Sequence, residues 1–268
     1  MDREWAVVLR QGDEVLNTSK YPKLGSATAA IEGNLLVVRQ ADMPDLIIAT
    51  DPVVCGNEKQ HPYAHYGIPG VAREQGQNAN EWFSRLLGVD VYLARIDQVR
   101  HPRDSVKHQG ISKNEDNIAF HDFSTLHIIC VDGIRWLQER VSDNSPVTTR
   151  QFRANIVVDG IPFPEEDRWS TLRVGSIPMR VAKPCGRCVI PTHIDGVRNK
   201  SFEPTATLRR LRSCFYKHQL NNEKKSEFFM FGLNLFHDVN GTLTVGDEIV
   251  IKEEQAPLQF TVQQQAAE

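Results

Sequence analysis

The amino-acid sequence contains no apolar run that approaches the roughly 20 residues needed for a transmembrane helix. Its beginning, Met1 to Trp5, has no basic start followed by an apolar core, so we expect no secretory signal peptide. The formal net charge of -3 over 268 residues leaves no basic excess for phosphate binding, which argues against a nucleic-acid-binding protein. We therefore expect a cytoplasmic protein with no membrane span and no nucleic-acid partner.

Cysteine is also scarce. The five cysteines are an odd and small set for a disulfide scaffold in a chain of this length, so we expect a reducing compartment. Cys130, inside the apolar residues 126–131, is expected to be a small buried hydrophobe. The histidines match no metal-ligand spacing, and neither a G-x-G-x-x-G fingerprint nor a haem-attachment motif occurs. Flavin and c-type haem sites are therefore not expected.

What the sequence does contain is a succession of short apolar segments, most of them at strand spacing. The predicted strands are residues 5–10, 35–38, 46–49, 89–96, 123–131, 152–158, 174–181, 189–194, 228–239 and 243–251. The predicted helices are residues 78–87, 132–141 and 205–215. Many short strands with few helices predict a mainly β fold with some α, of barrel or sandwich type, and the length allows two modest domains.

The strongest local pattern is the pair Cys185 and Cys188 in the run KPCGRC. A zinc site would need two further ligands at short spacing; His193 is close, but no second pair follows. A thioredoxin-like pair would need its first cysteine to open a helix, whereas a strand-like VIP follows here. A single reactive thiolate, with Arg187 beside it to lower the thiol pKa, is the third interpretation. The spacing alone leaves these three open beside a purely structural role.

Two further runs mix polar and apolar residues. In FRANIVV, residues 152–158, a strand would place Arg153 and Asn155 on one face, able to bind a phosphate or a polar ring. A solvated face is the alternative. In PFPEEDRW, residues 162–169, the adjacent acids suggest acid–base catalysis, but a solvated loop with Trp169 packed on the core explains them more simply.

Taken together and in this order, several runs resemble one family, the MOSC-domain proteins. DREWAVV followed by YPKL resembles the β-barrel domain that precedes MOSC domains. QFRANIVVDG, EEDRW, VGSIPMRVAKPCGRCVIPTHID and FGLNLF with GTLTVGDEIVI resemble the MOSC pattern almost to the C-terminus. The subgroup most similar is that of the amidoxime-reducing enzymes and their bacterial relatives, which bind a molybdopterin-type cofactor. The resemblance implies an N-terminal β-barrel-like domain in residues 1–100, a MOSC β-barrel domain in residues 101–255 and a flexible tail in residues 256–268.

The resemblance also implies roles for residues of this chain. Cys188 matches the family's molybdenum-ligating cysteine, and it would be both the metal ligand and the catalytic residue in a site for molybdenum cofactor, Mo-molybdopterin. Molybdenum accepts soft thiolate ligands, and the phosphate and pterin ring of the cofactor need arginine and amide partners. The implied cofactor-binding residues are Ser124, Arg153, Asn155, Gly186, Arg187, Cys188 and Asn234.

Two family features are expected to be missing. The family's first strand and its YPVKS-type loop, whose lysine and serine hold the cofactor, would precede Met1, so we expect a shortened N-terminal domain. The arginine that usually stands shortly before the P-x-L turn is replaced by the segment NTSK, residues 17–20, in which Lys20 offers another positive charge. We therefore expect the cofactor pocket to lack part of its phosphate clamp.

The function implied by the resemblance is an oxidoreductase that reduces N-hydroxylated small molecules at a molybdenum centre. Since no cysteine follows Cys214 for an iron–sulfur extension, the electrons would come from a separate donor protein. One alternative is a sulfur-carrier or sulfurtransferase module with a persulfide on Cys188 or Cys185, as in MOSC domains served by pyridoxal-phosphate-dependent desulfurase domains. No pyridoxal-phosphate-binding domain is expected in this chain. A non-catalytic, cofactor-binding relic is the other alternative.

Overall fold

The structure is a computed structural model that describes residues 2–51, 59–65, 68–97, 113, 116–216 and 226–256. The chain divides into two compact units. The first consists of Met1–Arg100, Asn117–Asp122 and His193–Arg198, and the second of His101–Asp116, Phe123–Thr192 and Asn199–Glu268. The predicted boundary after residue 100 and nearly all of the predicted tail lie outside the described residues, and the three predicted domain ranges stay predictions.

In the described residues, the main part of the first unit contains a five-stranded and a three-stranded antiparallel sheet and an α-helix. Its five-stranded sheet has the order β2-β1-β8-β7-β6, and its three-stranded sheet has the order β3-β4-β5. The elements are β1 (Trp5–Leu9), β2 (Glu14–Val15), β3 (Thr28–Glu32), β4 (Leu35–Gln40), β5 (Met43–Ala49), β6 (Gln60–His65), β7 (Ile68–Glu74), α1 (Gln77–Leu87) and β8 (Val91–Ile96). The helix ends where Gly88 adopts the left-handed conformation, and its apolar face, with Trp82 and Phe83, packs into the core of this unit.

The second unit is built around one seven-stranded sheet. Its order is β10-β9-β16-β12-β11-β17, with β15 paired to β16. The remaining elements of the chain are β9 (Leu126–Cys130), α2 (Val131–Gln138), α3 (Thr149–Phe152), β10 (Ile156–Val158), β11 (Trp169–Val174), β12 (Ile177–Gly186), β13 (His193–Ile194), β14 (Val197–Arg198), α4 (Thr205–Arg212), β15 (Ser213–Tyr216), β16 (Ser226–His237) and β17 (Ile249–Glu254). The hairpin of β13 and β14 belongs to the first unit.

The two faces of the seven-stranded sheet carry different cores. On one face Ile128 of β9 lies opposite Leu233 of β16, and both belong to a cluster that also contains residues of β11 and β12. The helices α2, α3 and α4 supply a second apolar cluster that contains Phe231. Since side chains alternate along a strand, the pair next to Ile128 and Leu233, namely His127 and Asn234, lies on the opposite face from them. This face carries the polar residues described below.

The mainly β fold with some helix is confirmed. Cys130 is buried, as expected for a small hydrophobe in an apolar strand. Within the described parts of the chain, no helix is long and apolar enough to cross a membrane.

The predicted strand over residues 152–158 is wrong in its first half. Thr149–Phe152 is a short helix, because Thr148 and Gln151 form a capping box that satisfies its first turn. Arg153 ends that helix in the left-handed conformation, with φ of 55°. A left-handed residue breaks the alternation of a strand, so the prediction that Arg153 and Asn155 share a strand face is also wrong.

The predicted strand over residues 189–194 is also wrong. Ile190–Thr192 forms a 3-10 turn, which fits the proline at position 191, and only His193–Ile194 is extended. The helix predicted over residues 205–215 ends at Arg212, after which the chain enters β15. The last predicted strand, 243–251, begins only at Ile249.

Candidate functional site

Cys188 lies on the turn that follows β12 in the second unit. The side chain is exposed, while Cys185, on the last part of β12, is partly exposed. The backbone N–H of Ile190 donates a hydrogen bond to the Cys188 sulfur at 3.4 Å, and the hydroxyl of Thr205 donates to the Cys188 carbonyl oxygen at 3.1 Å. A thiolate gains stability from such an N–H donor. The turn therefore presents an accessible sulfur on a backbone held from both sides.

Arg187 points into the protein. Its Nε donates to the carbonyl oxygen of Phe231 at 2.8 Å, and its Nη1 donates to the carbonyl oxygen of Phe152 at 3.4 Å. Its Nη2 donates to the same Phe231 oxygen and to Nε2 of His127. The guanidinium also lies over the Phe152 ring, 5.2 Å from its centroid.

The electrostatics of this turn couple Arg187 to both cysteines. Burial lowers the pKa of the Arg187 guanidinium below its ordinary value. The charges of Cys185 and Cys188 have the opposite, smaller effect and raise this pKa. No disulfide joins the cysteines of the described residues. The described part of the chain also contains no group of three or more His, Cys, Asp or Glu side chains able to hold a metal ion.

Ser124 and Asn234 lie together, although 110 positions separate them in sequence. The Ser124 hydroxyl lies 3.3 Å from Asn234 Oδ1 and also donates to the carbonyl oxygen of Leu126 at 2.9 Å. Asn234 sits in the middle of the sheet, in register with His127 on one side and with Lys183 on the other. Two of the predicted cofactor-binding residues are thus neighbours in a polar row across β9, β16 and β12.

Asn155 is joined to the other end of this row. Its side-chain oxygen accepts a hydrogen bond from the backbone N–H of His127 at 2.9 Å. The backbone N–H of Asn155 donates to the His127 carbonyl oxygen at 2.8 Å. The side chain of Asn155 therefore fixes the start of β9. Arg153 is exposed two residues earlier, and Gly186 is exposed opposite Met230 at the end of β12.

The structure thus links most of the predicted site residues. His127 connects Arg187 with Asn155, and Ser124 contacts Asn234. His127 and Thr205 were not predicted from the sequence. A histidine between Leu126 and Ile128, in an otherwise apolar strand, is a detectable signal because a buried polar side chain needs a partner. Thr205 had no comparable signal.

In the first unit, the segment expected to replace the missing arginine is held by local contacts. The side chain of Asn17 accepts the backbone N–H groups of Ser19 and Lys20. The ammonium of Lys20 is paired with the Glu14 carboxylate, which raises the pKa of Lys20 above its ordinary value. Whether this lysine contributes to a phosphate clamp stays a prediction.

Comparison with known families decides the relationship of the chain. The family model described as "MOSC domain" matches residues 115–250, and the model described as "MOSC N-terminal beta barrel domain" matches residues 1–90. The chain belongs to the MOSC domain family. The predicted site residues, from Ser124 to Asn234, all lie within the matched MOSC domain.

Several curated relatives of this MOSC protein carry the name mitochondrial amidoxime reducing component 2. The protein from Bos taurus is 28% identical over 256 residues, which span 92% of this chain and 72% of the relative. The human protein is 27% identical over 256 residues, with the same two shares. The protein from Macaca fascicularis is 26% identical over 251 residues, or 91% of this chain and 71% of the relative.

Proposed function

We propose that this MOSC protein binds molybdenum cofactor through the Cys188 thiolate and reduces N-hydroxylated small molecules. The observation that carries the proposal is the exposed Cys188 sulfur on a turn fixed by Arg187 and Thr205. The names of the relatives, which refer to amidoxime reduction, support the substrate class. Electrons would come from a separate donor protein. The cytoplasmic location stays a prediction, because the names of these relatives refer to mitochondria.

The residues present suit a cofactor of this kind. A thiolate is the kind of soft ligand that molybdenum accepts, and Cys188 is exposed. The exposed Arg153 and Asn155 offer a cation and an amide of the kinds that a phosphate and a pterin ring need. Ser124 and Asn234 add a hydroxyl and a second amide on the same sheet. When bound, the cofactor supplies the redox chemistry.

The chain's own contribution is binding and orientation. Cys188 would ligate the metal, and Arg153, Asn155, Ser124 and Asn234 would contact the organic part of the cofactor. Asn155 is already engaged with the β9 backbone through its side-chain oxygen, so the position of this amide is set before a cofactor binds. Side chains that are already held in place reduce the entropic cost of binding.

The test is to produce wild-type protein, Cys188→Ser and the matched control Cys185→Ser in a host that makes molybdenum cofactor. We expect about one molybdenum per chain in wild type and control, and loss of most of it in Cys188→Ser, because one thiolate is the protein's metal ligand. Reduction of an amidoxime is then assayed with a chemically reduced dye as electron donor. Metal content that is absent in wild type, or equal in all three proteins, would overturn the proposal.

A sulfur-carrier role is a second candidate, favoured by the same exposed thiol and the neighbouring Cys185. It predicts a persulfide, seen as a gain of one sulfur by mass spectrometry after incubation with a pyridoxal-phosphate-dependent cysteine desulfurase and cysteine. A persulfide on Cys188 in a protein that takes up no molybdenum would favour this role over the reductase. If the protein takes up no molybdenum and forms no persulfide, the non-catalytic interpretation is favoured.

A further inference from the structure

The Arg187 guanidinium connects three separate elements to the turn that carries Cys188. We propose that Arg187 is a positioning residue: it holds the Cys188 turn in place through contacts inside the protein, rather than by contacting the pterin or its phosphate. The functional part of this inference rests on the proposed role of Cys188 as a ligand, whereas the positioning itself does not.

The acceptors account for most of the hydrogen-bonding capacity of the side chain. An arginine carries five N–H donors and no acceptor. Four contacts use these donors: two to the Phe231 carbonyl, one to the Phe152 carbonyl and one to His127. Since arginine only donates, Nε2 of His127 is the acceptor and the imidazole proton resides on Nδ1. One N–H is left for any other partner.

The acceptors lie on different elements. Phe231 belongs to β16, Phe152 is the last residue of α3, and His127 belongs to β9. The carbonyl of Phe152 is one of those that a helix C-terminus leaves without a partner within the helix. The planar fork of a guanidinium can serve such dispersed acceptors at once, whereas a lysine ammonium on its flexible stem cannot reproduce that geometry.

The turn itself is fixed on either side of Cys188. Before it, the backbone N–H of Arg187 donates to the carbonyl oxygen of Phe229 at 2.9 Å. After it, the buried side chain of Gln151 donates to the carbonyl oxygen of Pro191 at 2.9 Å. Loss of the guanidinium would leave the first of these attachments as a single backbone bond. The direction of the sulfur would then vary.

The experiment compares Arg187→Lys and Arg187→Met with wild type, and uses Arg180→Lys as the matched control. Arg180 also lies on β12, but its guanidinium pairs with Asp116 and Asp238. Backbone hydrogen exchange is measured on the protein without cofactor, and molybdenum content is measured on protein from a cofactor-competent host. We expect exchange in residues 187–192 to be about tenfold faster in both variants at position 187, because the internal hydrogen bonds of the guanidinium are lost. The control should match wild type there.

The molybdenum data separate positioning from direct charge contact. Positioning predicts that the lysine variant loses as much molybdenum as the methionine variant. If the lysine variant keeps its metal and its exchange matches wild type, Arg187 acts through its charge and the inference is overturned. If wild type itself takes up no metal, the proposed function fails, but the exchange data still decide the positioning. If both variants at position 187 unfold, His127→Leu is the substitute, because it removes one acceptor of Arg187 without changing a residue of the turn. Unchanged exchange of residues 187–192 in this variant would overturn the inference.

Discussion

The hydroxyl of Thr205, at the start of α4, donates a hydrogen bond to the carbonyl oxygen of Cys188 at 3.1 Å. The donor Thr205 is buried, and the acceptor belongs to the exposed Cys188. We expect Thr205→Val to lower the free energy of unfolding by about 1–2 kcal/mol, because the carbonyl loses its donor while the side-chain volume is kept. Urea unfolding measures the change. Thr205→Ser retains the hydroxyl and should lose less; equal losses in the two variants would show that the bond contributes nothing.

Glu166 is a buried carboxyl, and its Oε2 has no hydrogen-bond partner among the residues described. Burial, with a further contribution from the negative charge of Asp167, raises its pKa from 4.5 to about 7. A carboxyl with a raised pKa in the folded state stabilises the protein most below the pKa of the unfolded chain. That contribution is lost as the pH rises through the folded pKa.

We therefore expect the stability of wild type relative to Glu166→Gln to fall between about pH 4.5 and pH 7 and to level off above. The total change is on the order of 3 kcal/mol. Unfolding by urea at a series of pH values measures it. Glu165→Gln, at the exposed neighbouring position, is the matched control. A parallel pH profile for the Glu166 variant and wild type would contradict the prediction.

Gly232 lies within β16, next to His127 of β9, and has a backbone conformation unusual for a strand. It has φ of 73°, and a Cβ there would lie 2.7 Å from Nε2 of His127 and 2.7 Å from the carbonyl oxygen of Ile128. Gly160 has a similar φ of 76° with open space around it. We expect Gly160→Ala to cost only the backbone strain of about 1–2 kcal/mol, and Gly232→Ala to cost more and to displace His127. Thermal unfolding compares them; equal costs would show that the close approach has no energetic effect.

The cysteines differ in burial, and this predicts their reactivity. Burial raises the pKa of both the Cys130 and the Cys214 thiols, whereas Cys188 is exposed and Cys185 partly so. In a Cys55→Ser background, we expect a thiol reagent to label Cys188 and Cys185 quickly and the other two only on unfolding. Peptide mass spectrometry after timed labelling identifies the sites. Rapid labelling of Cys130 in the folded protein would contradict the burial of that strand.

The helix α1 and the paired runs of β9 and β16 were predictable from the sequence, because local periodicity reflects the face that each element buries. The breakdown of the predicted strand at Arg153 has a local cause as well. The T-x-x-Q run from Thr148 to Gln151 is a capping box, and it carried the signal for a helix start that the alternation of FRANIVV obscured.

The contacts within the candidate site could not be predicted from the sequence. The resemblance singled out Cys188, Arg187, Ser124 and Asn234, but not the contacts among them. Ser124 meets Asn234 across 110 positions, and Arg187 reaches the Phe231 carbonyl across 44. Backbone carbonyls have no signature in a sequence, since every residue carries one.

By itself, the sequence determined the class of the fold and, through its resemblance to known motifs, the family and the choice of Cys188, because these depend on residue type and on the order of short patterns. Only the tertiary structure shows which groups the Arg187 side chain contacts. A guanidinium can serve a bound anion or internal carbonyls equally well, and which of them it meets depends on the positions that strand pairing and helix packing give to β9, α3 and β16.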